Sequence, residues 1–135
     1  MIKKLLILLM FGLFATNMDA QVIYYQAKQF AMKYVENGRW TSWTDWKDSD
    51  VLLSIDEDND IIKVYTEQRQ VYLVVKHNGT YTDSSGGKQI EFAVIDQDYD
   101  KGKIRLRKEK NGNSQLYVEF SDIMWVYSGL RKIEM

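Results

Sequence analysis

Two short acidic runs carry the residues best suited to binding a metal ion. Asp96, Asp98 and Asp100 alternate along the chain, and Gly102 follows closely enough to permit a tight bend. Oxygen ligands at alternate loop positions are typical of calcium sites. These three residues are the predicted site for weak calcium binding. A second alternating run, residues 56–60 with Asp56, Asp58 and Asp60, is the second choice.

Neither acidic run fits the complete EF-hand pattern. In a loop counted from Asp56, the sixth position is Ile61, where the motif needs Gly for its sharp turn. In a loop counted from Asp96, the twelfth position is Arg107 instead of an acidic ligand. Asp and Asn are also common in hairpin loops, because their side chains bond nearby backbone groups. A purely structural role for both runs therefore stands beside calcium binding.

Aromatic residues are the second feature that could bind a ligand. Trp40, Trp43 and Trp46 fall within seven positions and are three of the four tryptophans in the chain. In one interpretation Trp40 and a neighbour plug one end of the core, because Trp rings are large and mostly buried. In the other, these residues form an exposed platform for a sugar, a lipid or a partner protein. Together with Tyr99 they are the predicted ligand-binding residues.

The sequence lacks the residues that most catalytic sites need. The chain has no Cys, so thiol nucleophiles and thiolate metal sites are excluded. Its single His, His77, precedes Asn78-Gly79 in a predicted exposed turn, and a Ser-His-Asp triad would depend on it. The run 84–88 lacks the spacing of a phosphate-binding loop and reads as a flexible hairpin loop. We therefore predict no enzyme activity and no catalytic residues, and a hydrolase that uses loop carboxylates is the least favoured alternative.

The charge balance argues against a nucleic-acid partner. The chain has 18 basic and 19 acidic residues, which gives a net charge of −1. Nucleic-acid binding needs a clustered basic excess. Arg105, Arg107, Lys108 and Lys110 form a local basic stripe, which Glu109 and the acidic loops offset and which we interpret as the solvated face of a strand.

The first twenty residues have the layout of a secretory signal peptide. Lys3 and Lys4 precede an apolar run over residues 5–14, and Ala20 offers a small residue before the predicted cut. The apolar run is shorter than the ~20 residues that a membrane span needs, although an uncleaved anchor is the alternative. We predict a bacterial export substrate, periplasmic or secreted, with residues 1–20 removed and no membrane span afterwards.

The remaining residues, 21–135, predict one all-β domain. Turn signals recur about every eight to twelve residues, including the Asn-Gly pairs at 37–38, 78–79 and 111–112. We predict an antiparallel meander of about eight strands, closed or nearly closed into a barrel because closure removes exposed edges. In outline it resembles small calycin-like barrels. The runs that alternate with the period of a half-buried strand are residues 51–56, 61–66, 70–77, 89–96, 103–109, 115–120 and 123–128.

Residues 22–36 fit two structures. As a helix, Ile23, Ala27, Phe30 and Tyr34 share one stripe, and Asn37-Gly38 would stop it. As a strand, alternate residues from about Lys28 onward share a face. We favour the strand, because an Asn-Gly pair followed at once by another alternating run indicates a hairpin.

These features predict an exported, non-enzymatic domain that binds an unidentified partner. The partner is a small apolar or sugar ligand at a barrel mouth, a glycan, or another protein. One alternative is a structural protein that assembles through a sheet edge, and another is a weak calcium-binding module. We predict no cofactor other than calcium.

Overall fold

The chain folds into a closed antiparallel β-barrel. The computed structural model describes residues 22–133, and in that range it contains ten strands and no helix. The predicted signal peptide lies outside the described residues. In chain order the strands are β1 (Val22–Glu36), β2 (Arg39–Trp40), β3 (Lys47–Asp56), β4 (Ile61–Tyr65), β5 (Gln70–Thr82), β6 (Lys88–Ile95), β7 (Lys101–Lys108), β8 (Ser114–Glu119), β9 (Ile123–Ser128) and β10 (Arg131–Ile133).

Eight strands form the barrel wall in simple sequence order. From β3 to β9 each strand pairs antiparallel with the next, and β1 pairs with both β3 and β9, which closes the ring. The short strands β2 and β10 add to β1 without entering the ring. The prediction of an eight-strand antiparallel barrel is confirmed.

Strand β1 is long enough to serve several partners. Its residues 22–30 pair with β3, while on its other edge residues 24–26 pair with β10 and residues 29–34 pair with β9. The register with β3 shifts at a bulge between Ala27 and Gln29, and bulges of this kind bend a strand. The helix interpretation of this segment is wrong, and the strand begins before Lys28.

A tight turn explains why β1 reverses at Asn37-Gly38. Both residues have positive φ, 53° and 76°, which is the backbone of the primed turns that match the twist of two antiparallel strands. The predicted hairpin is therefore confirmed. After the turn, Arg39 and Trp40 pair back onto Glu36 and Val35.

The core lies inside the ring and is made of alternate residues of the wall strands. Leu53, Val64, Ile104, Leu116 and Val118 have no exposed surface at all. Fully burying a side chain of this kind stabilises the fold by roughly 1.5–3 kcal/mol. The strand pairing stacks these residues in rows, because cross-strand partners share a face. Ile104 is opposite Val118 on β8, and Leu106 is opposite Leu116.

One end of the barrel is closed by aromatic rings. Phe120 stacks on Trp125 with ring centroids 5.9 Å apart, and its centroid lies 6.3 Å from that of Tyr72. Gly102 makes room for this arrangement, because a Cβ there would lie 2.7 Å from Phe120 Cε1 and 2.9 Å from the Glu119 carbonyl oxygen. Trp125, which lies in one of the predicted alternating runs, packs against the core as a plug.

The predicted turn at Asn78-Gly79 is wrong, because both residues lie inside β5. The register of β5 against β6 shifts between His77 and Gly79, and Gly79 has a φ of 110°. The pair therefore forms a β-bulge. A bulge, like a turn, favours residues that tolerate positive φ. The reversal comes instead at residues 83–87, so the hairpin loop predicted at 84–88 is present except that Lys88 is already the first residue of β6.

We expect Gly102→Ala to destabilise the barrel at its closed end. The added methyl group overlaps Phe120 and the Glu119 carbonyl oxygen, and overpacking of this kind costs about 1–3 kcal/mol. Urea denaturation would measure the loss. The cost should be smaller in a Phe120→Leu background, and equal costs in both backgrounds would contradict the proposed overlap.

Candidate functional site

The end of the barrel opposite Phe120 is open and forms a mouth. Ile90 and Leu106 are cross-strand partners on the inner face, in the row that continues to the fully buried Leu116. Despite facing inward, Ile90 is 38% exposed. Core side chains therefore do not fill the barrel at this end.

A cleft of about 790 Å³ occupies the mouth. Its apolar floor consists of Tyr25, Ile90, Leu106 and Leu130. The volume lies within the roughly 300–1,000 Å³ of small-molecule sites. Burial, and to a smaller extent the charge of Glu57, raise the pKa of Tyr25 above its ordinary value.

The rim of the mouth cleft is basic. Lys88 and Lys108 are direct cross-strand partners, two positions beyond Ile90 and Leu106 on the same face. Lys132 is the partner of Tyr25 and so shares its inward face. All three lysines line the cleft, together with Arg107.

A smaller cleft of about 410 Å³ also borders Ile90, and its rim is acidic. Its lining includes Asp56, Asp60 and His77. His77 Nε2 lies 3.2 Å from Asp60 Oδ1, and its ring meets the Phe92 ring edge-on at 5.2 Å. His77 therefore lies on strand β5, so its predicted position in a turn is wrong, while its predicted exposure is confirmed. No hydroxyl group of residues 22–133 hydrogen-bonds to its ring, so no Ser-His-Asp triad forms around it among them.

The three neighbouring tryptophans lie on the barrel exterior. Trp40, Trp43 and Trp46 are 40%, 39% and 47% exposed, so the interpretation as a core plug is wrong for this cluster. The Lys33 ammonium lies 5.5 Å from the ring centroid of Trp40 and 4.8 Å from that of Trp43. Trp43 in turn meets Tyr117 edge-on, with centroids 6.2 Å apart. We call Trp40, Lys33, Trp43 and Tyr117 the aromatic ladder.

Two threonines explain the three-residue spacing of the tryptophans. Residues 41–46 do not belong to a strand, but they still run alongside β1. The backbone N–H groups of Thr41 and Thr44 donate to the carbonyl oxygens of Tyr34 and Met32, and each threonine hydroxyl accepts from the same β1 residue's N–H. The segment between these anchors carries Trp43 over the outer face.

Trp46 and Tyr99 are not joined to this ladder by any ring or cation–π contact among the described residues. Tyr99 projects from the loop between β6 and β7 and is 85% exposed. Its φ of 64° is unusual for a bulky residue. The residues equivalent to Tyr99 in the two neighbouring hairpin loops are Gly86 and Gly112, and both also have positive φ. The structure thus brings together only part of the predicted ligand-binding set.

The predicted calcium residues do converge. One carboxylate oxygen from each of Asp96, Asp98 and Asp100 lies within 4.8 Å of the others, the one such acidic group in residues 22–133. Asp96 Oδ1 also accepts the backbone N–H groups of Asp98 and Asp100, both at 2.9 Å. These bonds account for the loop shape without an ion. In the second run Asp56 accepts two hydrogen bonds from Asn59, one from its backbone N–H and one from its side-chain amide.

The two arginines of the basic stripe do not form a solvated face, which corrects that part of its interpretation from the sequence, whereas Lys108 and Lys110 are exposed. The side chains of Arg105 and Arg107 are only 20% and 16% exposed, and they pair with Glu119 and Asp83 respectively. Arg107 Nε donates to Asp83 Oδ2 at 2.8 Å. This bond, with further hydrogen bonds from Ser85 and Gln89, holds the pKa of Asp83 well below its ordinary value.

No protein-family model, curated protein or solved structure matches this chain. Within residues 22–133 there is also no helix with the length and apolar character to cross a bilayer. The function has to be inferred from the geometry of the chain itself.

We expect the Asp83–Arg107 pair to make the fold sensitive to acid. Because the folded pKa of Asp83 lies below its unfolded value, the pair contributes stability above about pH 4, and this contribution is lost as the pH falls through the folded pKa. Asp83→Asn should therefore flatten the fall in the free energy of unfolding below about pH 4, measured by urea denaturation. Adding Asp83→Asn to Arg107→Gln should change the pH dependence little, and a full effect there would contradict the pairing.

The calcium prediction can be tested by thermal melting. If the three aspartates bind calcium, the ion at about ten times its Kd should raise the melting temperature by about 5 °C relative to a chelator. Asp98→Asn should abolish the shift without breaking the loop, because Asp96 and not Asp98 accepts the loop hydrogen bonds. Identical melting temperatures in calcium and chelator would reject the site.

Proposed function

We propose that the protein is an exported, non-enzymatic binding domain that takes a small apolar ligand at the mouth of its barrel. The observation that carries this proposal is Ile90, an inward-facing apolar residue that stays 38% exposed above an unfilled cleft. The export part rests on the signal-like residues 1–20 and implies a periplasmic or secreted protein.

The contrast between the two barrel ends supports a binding role. Phe120 and Trp125 pack against the core at the closed end. At the mouth, Ile90 and Leu106 continue the same inner face but leave apolar surface in contact with water. Covering such surface is favourable by about 25 cal/mol per Å², so an apolar ligand that displaces water here gains affinity.

The aromatic ladder supports a second candidate, the binding of a glycan or another protein on the barrel exterior. Trp40 and Trp43 remain about two-fifths exposed, and exposed aromatic patches are typical of binding surfaces. The ladder ranks below the mouth, because Lys33 already lies over both indole rings. A ligand there has to share or displace an internal cation–π contact.

Assembly through a sheet edge has weaker support. Residues 75–82 of β5 pair with β6 alone and are all exposed, so they offer one free edge. Two bulges interrupt that segment, and Lys76 lies on it. Bulges and lysines on an edge are devices that discourage pairing with another chain.

We expect the uncharged fluorescent probe N-phenyl-1-naphthylamine to bind at the mouth. Ile90→Gln should weaken its affinity about tenfold, because it replaces apolar contact in the cleft with a polar side chain. A fluorescence titration measures the affinity. Since Ile90 is partly exposed, the substitution should leave the melting temperature close to that of the native protein.

Two further variants separate the mouth from other surfaces. Val75→Gln changes an exposed apolar residue outside the mouth cleft, and it should leave the probe affinity unchanged. Trp43→Ala should also leave it unchanged. Loss of probe binding in Trp43→Ala but not in Ile90→Gln would move the site to the aromatic ladder and reject the mouth.

A further inference from the structure

We propose that the ligand of the mouth is an amphipathic anion, with its apolar chain on Ile90 and Leu106 and its charged group between Lys88, Lys108 and Lys132. This inference rests on the proposed function and adds the chemical class of the ligand. The shared chemistry is an alkyl chain that ends in a carboxylate, sulfate or phosphate.

The first reason is an uncompensated pair of like charges. Lys88 and Lys108 face each other directly across β6 and β7 on the inner face. Residues in this relation have their Cβ atoms about 5 Å apart, and like charges there destabilise a sheet. Among residues 22–133 no ion pair involves either lysine. An anion between them would turn a repulsive contact into two attractive ones.

The second reason is that a third lysine reaches the same cleft from a different strand. Lys132 on β10 shares the inner face with Tyr25, its partner on β1. The three ammonium groups thus border one cleft from β6, β7 and β10. No residue in 22–133 forms an ion pair with Lys132 either.

The other charged groups near the mouth also favour the three lysines as the site for the anionic group. Arg107 lines the cleft but is already paired with Asp83 and Glu109, at 2.8 and 3.1 Å, so the lysines are the cations left for a ligand. The acidic groups of the smaller cleft, Asp56 and Asp60 among them, do not line the mouth cleft, although the two clefts share Ile90. An anionic group is therefore drawn to the lysines of the mouth and repelled from the smaller cleft.

The shape of the site favours a single dissolved molecule over a membrane surface. The apolar floor lies inside the ring of strands, below the lysine rim, so a chain has to enter the mouth to reach it. A lipid that remains in a bilayer presents its headgroup and keeps its chain in the membrane. We therefore assign the site to a free amphiphile, and vesicle binding becomes an outcome of the test.

The experiment compares dodecanoate with dodecanol, two probes of the same chain length that differ in charge. Displacement of N-phenyl-1-naphthylamine from the full chain, below micelle formation, gives both affinities. We expect dodecanoate to bind about tenfold more tightly than dodecanol, because its carboxylate gains the lysine contacts. Added salt should weaken dodecanoate and leave dodecanol nearly unchanged.

A matched pair of double variants assigns the effect to the rim. Lys88→Gln with Lys108→Gln should abolish the preference for dodecanoate and leave dodecanol binding intact. Lys47→Gln with Lys101→Gln removes the same charge from exposed residues outside the mouth cleft, and it should keep the preference. Both doubles should retain the native circular dichroism spectrum.

The outcomes separate the two proposals. Equal affinity for dodecanoate and dodecanol would overturn the anion assignment and leave the apolar mouth standing. Failure of every probe to bind would overturn both. Binding to phosphatidylglycerol vesicles without binding to dissolved dodecanoate would reject the free amphiphile in favour of a membrane surface.

Discussion

The pairing of β1 with both β3 and β9 is the constraint on which the rest of the structure depends. This one strand joins the first and last parts of the meander, and in residues 22–133 no other strand pairing closes the ring. Its bulge at Ala27 and Gln29 lets one strand change direction between the two sets of partners. Closure places the alternating apolar residues on a single interior and limits free strand edges to segments such as residues 75–82 of β5. The mouth, the closed end and the outer ladder are all defined relative to that ring.

The two ends of the ring differ because of a few residues. At one end a glycine, Gly102, lets the Phe120 ring lie across the interior. At the other end the inner positions pass from Ile90 and Leu106 to Lys88 and Lys108, so the interior changes from apolar to charged within two residues. Long cations cannot fill an apolar space, because their ammonium groups remain in water. The mouth cleft follows from that change in residue type.

Strand positions were predictable because a half-buried strand imposes a period of two that survives in the sequence. The seven alternating runs all became strands, and Asn37-Gly38 and Asn111-Gly112 became turns. Asn78-Gly79 was misleading because positive φ serves a bulge as well as a turn, and only the pairing with β6 decides between them. The tryptophans were ambiguous for a similar reason. Their exposure depends on Thr41 and Thr44 holding residues 41–46 along the outside of β1.

The lysine pair at the rim of the mouth could not be predicted from the sequence, because it depends on how β6 pairs with β7. Lys88 and Lys108 are far apart in sequence, and nothing in either local run shows that they meet. Asp96, Asp98 and Asp100 could be found because a single loop contains them. The pairing of Tyr25 with Lys132 has another consequence: both line the mouth cleft, so the start of β1 and the end of β10 lie beside the mouth. A fluorescent protein or surface tether attached next to Val22 or Ile133 would sit near the opening, where its bulk can hinder entry and its emission can report on what enters.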